Sequence, residues 1–206
     1  MNKYISQFQK ECFANYIDDI RKAVPEIPKP YVYPDGNPIR TVIPVRTIQN
    51  SIMLIGAFPS ARFERRNKLL IPIGDNLWIT DIVKIYLFPE KHIKNCEVIA
   101  PNIKFVNTHK LFSKIAKASM EWMKKEITIC DPKLIITLGE VPTRVISGNK
   151  KTSNAMLLNG QVRDLILDKK HKVAHLGHPE IRRINKHWDI FTEEAIKTLA
   201  KEIERL

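Results

Sequence analysis

The chain has 206 residues, 44% of them hydrophobic, and Lys and Arg outnumber Asp and Glu by 34 to 22, a formal net charge of +12. That length suits one domain, or one domain with an appended helix, around a substantial core; no apolar run approaches the length that spans a bilayer, which excludes a membrane-spanning helix and points to a soluble protein. Cys12, Cys96 and Cys130 lie far apart with no CxxC pair, which excludes a four-thiolate zinc or iron–sulfur site within one chain.

From Tyr4 to Val24, the residues Ile5, Phe8, Cys12, Phe13, Tyr16, Ile17 and Ile20 recur at helical spacing, so an amphipathic helix is expected first. Pro25, Pro28, Pro30, Pro34 and Pro38 follow, and because proline fixes φ and lacks an N–H, an extended arm should lead to Val45. Residues 51–56, Ser-Ile-Met-Leu-Ile-Gly, form a short continuous apolar run ending at glycine, the pattern of a strand buried on both faces of a parallel sheet. A basic loop, Ala61 to Lys68, comes next. Leu77 to Ile85 reads as a second strand, with a short helix as the alternative.

The strongest helical periodicity runs from His109 to Ile129, with Leu111, Phe112, Ile115, Ala118, Trp122 and Ile127 on its inner face. Asn107 or Thr108 would cap it, and Asp131-Pro132 would end it. Leu134 to Gly139 is another apolar run closing on glycine, followed by a short helix over Val141 to Ile146. Val162 to Leu167 and Lys172 to Leu176 read as strands separated by a turn at residues 168–170. A last amphipathic helix from Trp188 to the terminus would bury Phe191, Ala195, Ile196, Leu199 and Ile203. Strand and helix alternate, so the expected fold is α/β, a three-layer αβα sandwich around a mainly parallel sheet of four or five strands, in a single domain over 1–206.

A field of positive charge attracts polyanions, so nucleic acid is one reading of the charge balance, and a lysine-rich solvated surface is the other. The odd cysteine count, without a signal peptide, points to a reducing, intracellular setting, cytoplasmic or nucleoid-associated. Cys130, in an apolar stretch, should be a buried structural thiol. Open α/β sheets place ligands beyond the carboxyl ends of their strands, and the loops from Ala57, from Gly139 and from Gly177 qualify by position. At the first, Gly56 permits close backbone approach and Pro59 fixes a turn, although an ordinary tight turn would look the same. At the third, His178-Pro179 follows the strand and Arg182, Arg183, Lys186 and His187 come soon after, a basic run suited either to phosphates or to a solvated helix start.

Taken in order, these segments resemble the uracil-DNA glycosylase superfamily from about residue 50 to the end. Residues 52–60, Ile-Met-Leu-Ile-Gly-Ala-Phe-Pro-Ser, look like its first motif, a strand followed by Gly-x-x-Pro. Residues 131–139, Asp-Pro-Lys-Leu-Ile-Ile-Thr-Leu-Gly, are similar to its central strand. Residues 173–183, with His178-Pro179 and then Arg182, are similar to its second motif. Between the first two, Trp78 to Lys84 looks like a segment usually centred on Thr-Asn before Val-Lys.

The resemblance implies a monofunctional, intracellular DNA repair enzyme that flips a deaminated base, uracil or hypoxanthine, out of single- or double-stranded DNA and hydrolyses its N-glycosidic bond. A catalytically inactive nucleic-acid-binding relative is the alternative. It implies a monomer, with no membrane partner, no metal and no cofactor, because the cluster-binding cysteines of the thermostable branches are missing. His178 would donate to the base carbonyl as negative charge develops there. Gly56, Ala57, Phe58, Phe63 and Asp81 would line the base pocket, with Phe58 or Phe63 stacking on the base unless they are core aromatics. Ser60, Arg62, Arg182 and Arg183 would contact DNA.

Two departures from the family pattern bear on the chemistry. Ala57 and Phe58 stand where several branches carry the polar residue that handles water, so Asp75, in Gly74-Asp75, becomes the candidate catalytic carboxylate, with Asn76 and Glu64 behind it; a turn or helix-cap role for Asp75 is the alternative. Asp81 replaces the customary Asn. An ionised carboxylate only accepts hydrogen bonds, so it disfavours strict uracil specificity and favours a base presenting an amino donor, or else Asp81 is itself the catalytic carboxylate.

Overall fold

A computed structural model describes residues 3–27, 51–57, 77–85, 108–148, 154–178 and 186–206. In chain order their elements are α1 (Lys3–Ala23), β1 (Ile52–Gly56), β2 (Leu77–Asp81), α2 (Thr108–Ala118), α3 (Met120–Cys130), β3 (Leu134–Leu138), α4 (Glu140–Ser147), α5 (Asn154–Leu157), β4 (Arg163–Ile166), β5 (Lys170–Leu176) and α6 (Lys186–Ile203). They fall into two compact units, one holding the sheet with α4, α5 and α6, the other holding α1, residues 81–85, α2 and nearly all of α3. The expected extended arm opens at Pro25 with a turn, in which the Ile27 N–H donates to the Val24 carbonyl oxygen at 3.1 Å, and the rest of the arm and the basic loop lie outside the described residues.

The sheet has five strands in the order β2-β1-β3-β5-β4. β1 runs parallel to β3, with Ile52 beside Leu134 and Leu54 beside Ile136. β3 runs parallel to β5, with Ile135 beside Val173 and Leu138 beside Leu176. β4 turns back antiparallel along the outer side of β5, with Leu165 beside His171. Every residue of β1 and β3 is buried, as expected of near-continuous apolar runs covered on both faces, with Thr137 the one polar residue in β3.

Successive side chains of a strand point to opposite faces, and the register sorts them cleanly. Ile52, Leu54, Leu134, Ile136, Leu138, Ala174 and Leu176 form one face, packed with Ala195 and Leu199 of α6. Thr137 and His175 belong to the other face, where Thr143 of α4 meets Thr137 at 2.7 Å between hydroxyl oxygens. Helices thus lie on both faces of a mostly parallel sheet, the α/β sandwich that the alternation of elements predicts. Each fully buried aliphatic side chain of this core contributes about 1.5–3 kcal/mol.

Two backbone positions allow this packing. Gly160 has φ 73°, and a Cβ there would stand 2.1 Å from the carbonyl oxygen of Ala195, so only glycine lets α6 seat against the sheet. Asp131 adopts φ 41°, a left-handed conformation that Asp tolerates, and with Pro132 behind it α3 cannot continue.

In the helical unit, α1 buries Phe8, Cys12, Tyr16 and Ile20, as its periodicity predicts. Trp122 packs at 6.1 Å from the Phe8 ring and 6.0 Å from the Tyr16 ring. The Tyr16 hydroxyl lies 2.6 Å from Ser119 Oγ and accepts the Lys84 backbone N–H at 3.0 Å. Lys84 Nζ pairs with Glu126, and both side chains are buried. Burial pushes the Cys12 thiol up to about 12, so it stays protonated. Cys130 is buried too, as expected of a structural thiol.

Two expectations need correction. The single helix anticipated from His109 to Ile129 is two helices parted at Ser119. Ser119 bonds the Ile115 carbonyl oxygen with both its N–H, at 2.9 Å, and its hydroxyl, at 2.8 Å, and such back-bonding from a serine side chain bends a helix. The strand anticipated from Leu77 to Ile85 ends at Asp81, which sets the short-helix alternative aside. Among the described residues no helix is long and apolar enough to cross a membrane.

Candidate functional site

Because β1, β3 and β5 are parallel neighbours, their carboxyl ends share one edge of the sheet. Gly56 ends β1 and partly exposed Ala57 follows it; Gly139 follows β3; partly exposed His178 stands just beyond β5. With strands about 4.8 Å apart, the chain leaving β1 and the chain leaving β5 are separated by one strand width on each side of Gly139. The path from β1 leads to β2 on one side, whereas the path from β3 leads to β5 on the other. That reversal makes the ends of β1 and β3 a topological switch point, the position at which open α/β sheets bind ligands.

Gly139 is the pivot of this edge. Its φ of 94° and ψ of 174° belong to a region that is essentially reserved for glycine. A Cβ at this position would stand 3.1 Å from His178 Cβ and 3.6 Å from its Cδ2, so the imidazole rests directly against the glycine backbone. The Gly139 N–H donates to the Leu176 carbonyl oxygen at 2.8 Å, which locks the end of β3 to the end of β5. α4 begins at the next residue, with no side-chain cap on its first turn.

Beneath this edge lies a buried polar chain. His175 Nδ1 lies 2.6 Å from Thr137 Oγ1, which lies 2.7 Å from Thr143 Oγ1. Burial, and secondarily the positive charge of Arg163, lowers His175 to about 4, so the ring is neutral at physiological pH. Arg163 is itself held by the Met156 carbonyl oxygen at 3.1 Å and Asn159 Oδ1 at 3.0 Å.

Of the candidates from sequence, Gly56, Ala57 and His178 come together at one sheet edge. Asp81 is the last residue of β2, only 4% exposed, where the chain passes from the sheet into the helical unit. Phe58, Ser60, Arg62, Phe63, Glu64, Asp75, Asn76, Arg182 and Arg183 lie outside the described residues. Gly139 was marked only by its position at the end of a strand, and Thr137, Thr143 and His175 carry no mark in the sequence as site residues. Alternation within the strand carried the missing signal: His175 is two residues beyond the buried Val173, so it also points inward, and an inward imidazole needs a partner.

No protein-family model matches the chain, and no curated protein is significantly similar to it. The chemistry of the site therefore rests on its own residues. A partly exposed imidazole at this edge has the chemistry to donate a hydrogen bond to a ligand, and backbone N–H groups at Ala57 and in the first turn of α4 can add others. Among the described residues, no group of three or more His, Cys, Asp or Glu is arranged to hold a metal ion.

Proposed function

We propose that this chain is a DNA glycosylase of the uracil-DNA glycosylase type, acting on a deaminated base, uracil or hypoxanthine, flipped out of DNA. The reading is carried by one observation: Ala57 after β1 and His178 after β5 stand to either side of Gly139 on one sheet edge, at the point where the strand connections reverse. The segments bearing them are those that resemble the first and second motifs of that superfamily.

In this reading the flipped base docks at this edge, held by stacking on Phe58 or Phe63 and by backbone contacts at Gly56 and Ala57. As the N-glycosidic bond breaks, electrons move onto the base, and His178 donates a hydrogen bond to its carbonyl oxygen. The sugar turns cationic and water attacks it. The Ala57 side chain is a methyl group and cannot orient that water, so the task falls to Asp75 or Asp81. Ser60, Arg62, Arg182 and Arg183 hold the phosphates, and the charge of +12 draws DNA to the surface.

The test is a panel of oligonucleotides carrying one uracil or hypoxanthine, single- and double-stranded, treated with alkali after incubation. Cleavage at the lesion is expected from the wild type, with the rate reduced about 10²–10³-fold in His178→Ala. No product from any deaminated base would overturn the proposal. Ala57 favours a second reading, a nucleic-acid-binding relative without catalysis. Salt-sensitive oligonucleotide binding with no base release would establish it.

A further inference from the structure

The buried polar chain beneath the site closes into a ring. From His175 it runs to Thr137 at 2.6 Å and on to Thr143 at 2.7 Å. The Thr143 N–H then donates to the Gly139 carbonyl oxygen at 3.3 Å, and the Gly139 N–H donates to the carbonyl oxygen of Leu176, the residue after His175, at 2.8 Å. Gly139 is therefore gripped at both its N–H and its C=O, in a conformation that glycine alone adopts. His178 rests on that gripped residue.

All three side chains are buried, and none of them reaches the edge where a ligand would sit. A hydroxyl both donates and accepts, so each threonine can pass the directionality of one hydrogen bond to the next. Removing one hydroxyl interrupts the series and takes a hydrogen bond from its neighbour in a dry interior.

We infer that Thr143, Thr137 and His175 are positioning residues for His178, holding the Gly139 backbone where the imidazole must rest. The inference builds on the proposed role of His178, but the placement of its ring is measurable without catalysis. Misplacing a catalytic group by about 1 Å can cost roughly 10²-fold in rate, whereas binding of DNA through distant phosphates should be untouched.

The experiment compares wild type, Thr143→Val, Thr137→Val and Thr143→Ser. Folding is followed by circular dichroism, the His178 ring by its nitrogen and carbon NMR resonances across a pH titration, and base release at saturating oligonucleotide. In both valine variants the expected results are displaced His178 resonances, a moved titration midpoint, and base release slowed roughly 10- to 100-fold with oligonucleotide affinity unchanged. Thr143→Ser, which keeps the hydroxyl, is expected to restore all three. If a valine variant does not fold, Thr143→Ala removes the same hydroxyl and carries the same readouts.

A lower melting temperature with His178 resonances and midpoint unchanged would overturn the inference and leave the ring a purely structural feature. If wild type releases no base, the glycosylase reading fails by itself, and the NMR titration still decides whether the ring positions His178.

Discussion

Gly139 occupies a backbone region closed to other residues, and a Cβ there would come within 3.1 Å of His178 Cβ. Gly139→Ala should therefore lose about 1–3 kcal/mol to backbone strain and also push the imidazole aside. Urea denaturation will report the first effect, and base release by the fraction still folded will report the second. His175 makes a different prediction. Its ring refuses a proton that the unfolded chain accepts at 6.5, because burial and Arg163 hold it down to about 4. The unfolded state thus binds more protons between those values, so stability is whole above 6.5 and is lost as pH falls toward about 4, by roughly 3 kcal/mol. Urea midpoints measured over that range should fall more steeply for the wild type than for His175→Gln. At this scale Gly56 was legible because it closes an apolar run, and His178 because it stands with Pro179 just beyond a strand. Thr137 and His175, inside strands, and Thr143, on α4, were not, because buried polar residues betray their partners only once the strand register and the helix packing are known.

Among the elements, the strands were the easiest to read. β1 is a continuous apolar run closed by glycine and β3 one broken only by Thr137, the pattern of a strand covered on both faces. The break at Ser119 was hidden because backbone bonds continue across it, from the Ser119 N–H to Ile115 and from the Met123 N–H to Ser119, so the apolar spacing never loses phase. The antiparallel return of β4 was implicit in the short turn at residues 168–170, since parallel neighbours need a crossover of about a dozen residues or more. Glu126 was visible in principle, a carboxylate on the stripe formed by Met123, Ile127 and Cys130, where a charge demands a buried counter-ion. That partner is Lys84, 0% exposed, three residues beyond the end of β2. Truncating one member leaves the other charged and dry. Glu126→Ala is expected to destabilise by about 3–5 kcal/mol, whereas the double variant Lys84→Met with Glu126→Leu should recover most of that loss. Chemical denaturation of the two variants side by side checks both numbers.

For the whole molecule, the decisive quantity is the net charge of +12. Many described lysines and arginines already have carboxylate partners, as Lys169 has Asp131, and Lys170 and Lys172 share Asp164. A surface neutralised in this way would bind DNA weakly and with little response to salt. If the excess charge instead meets phosphates, the logarithm of the oligonucleotide association constant should fall linearly with the logarithm of salt concentration. The slope would be about −0.9 for each phosphate neutralised on duplex DNA. Fluorescence anisotropy across a salt series measures it, and a flat line would assign the charge to solvation alone.

The order β1-β3-β5 also has a kinetic consequence. Ile52 must find Leu134, and Ile135 must find Val173, across long intervening stretches of chain before any of these ladders can form. Loop closure of that length is slow, and little rewards it until several strands have docked together. The central sheet should therefore assemble late and cooperatively. The carboxyl edge, where Gly139 and His178 meet, has no counterpart in a half-folded chain, so a newly made molecule gains that arrangement in the same step that makes it resistant to proteolysis.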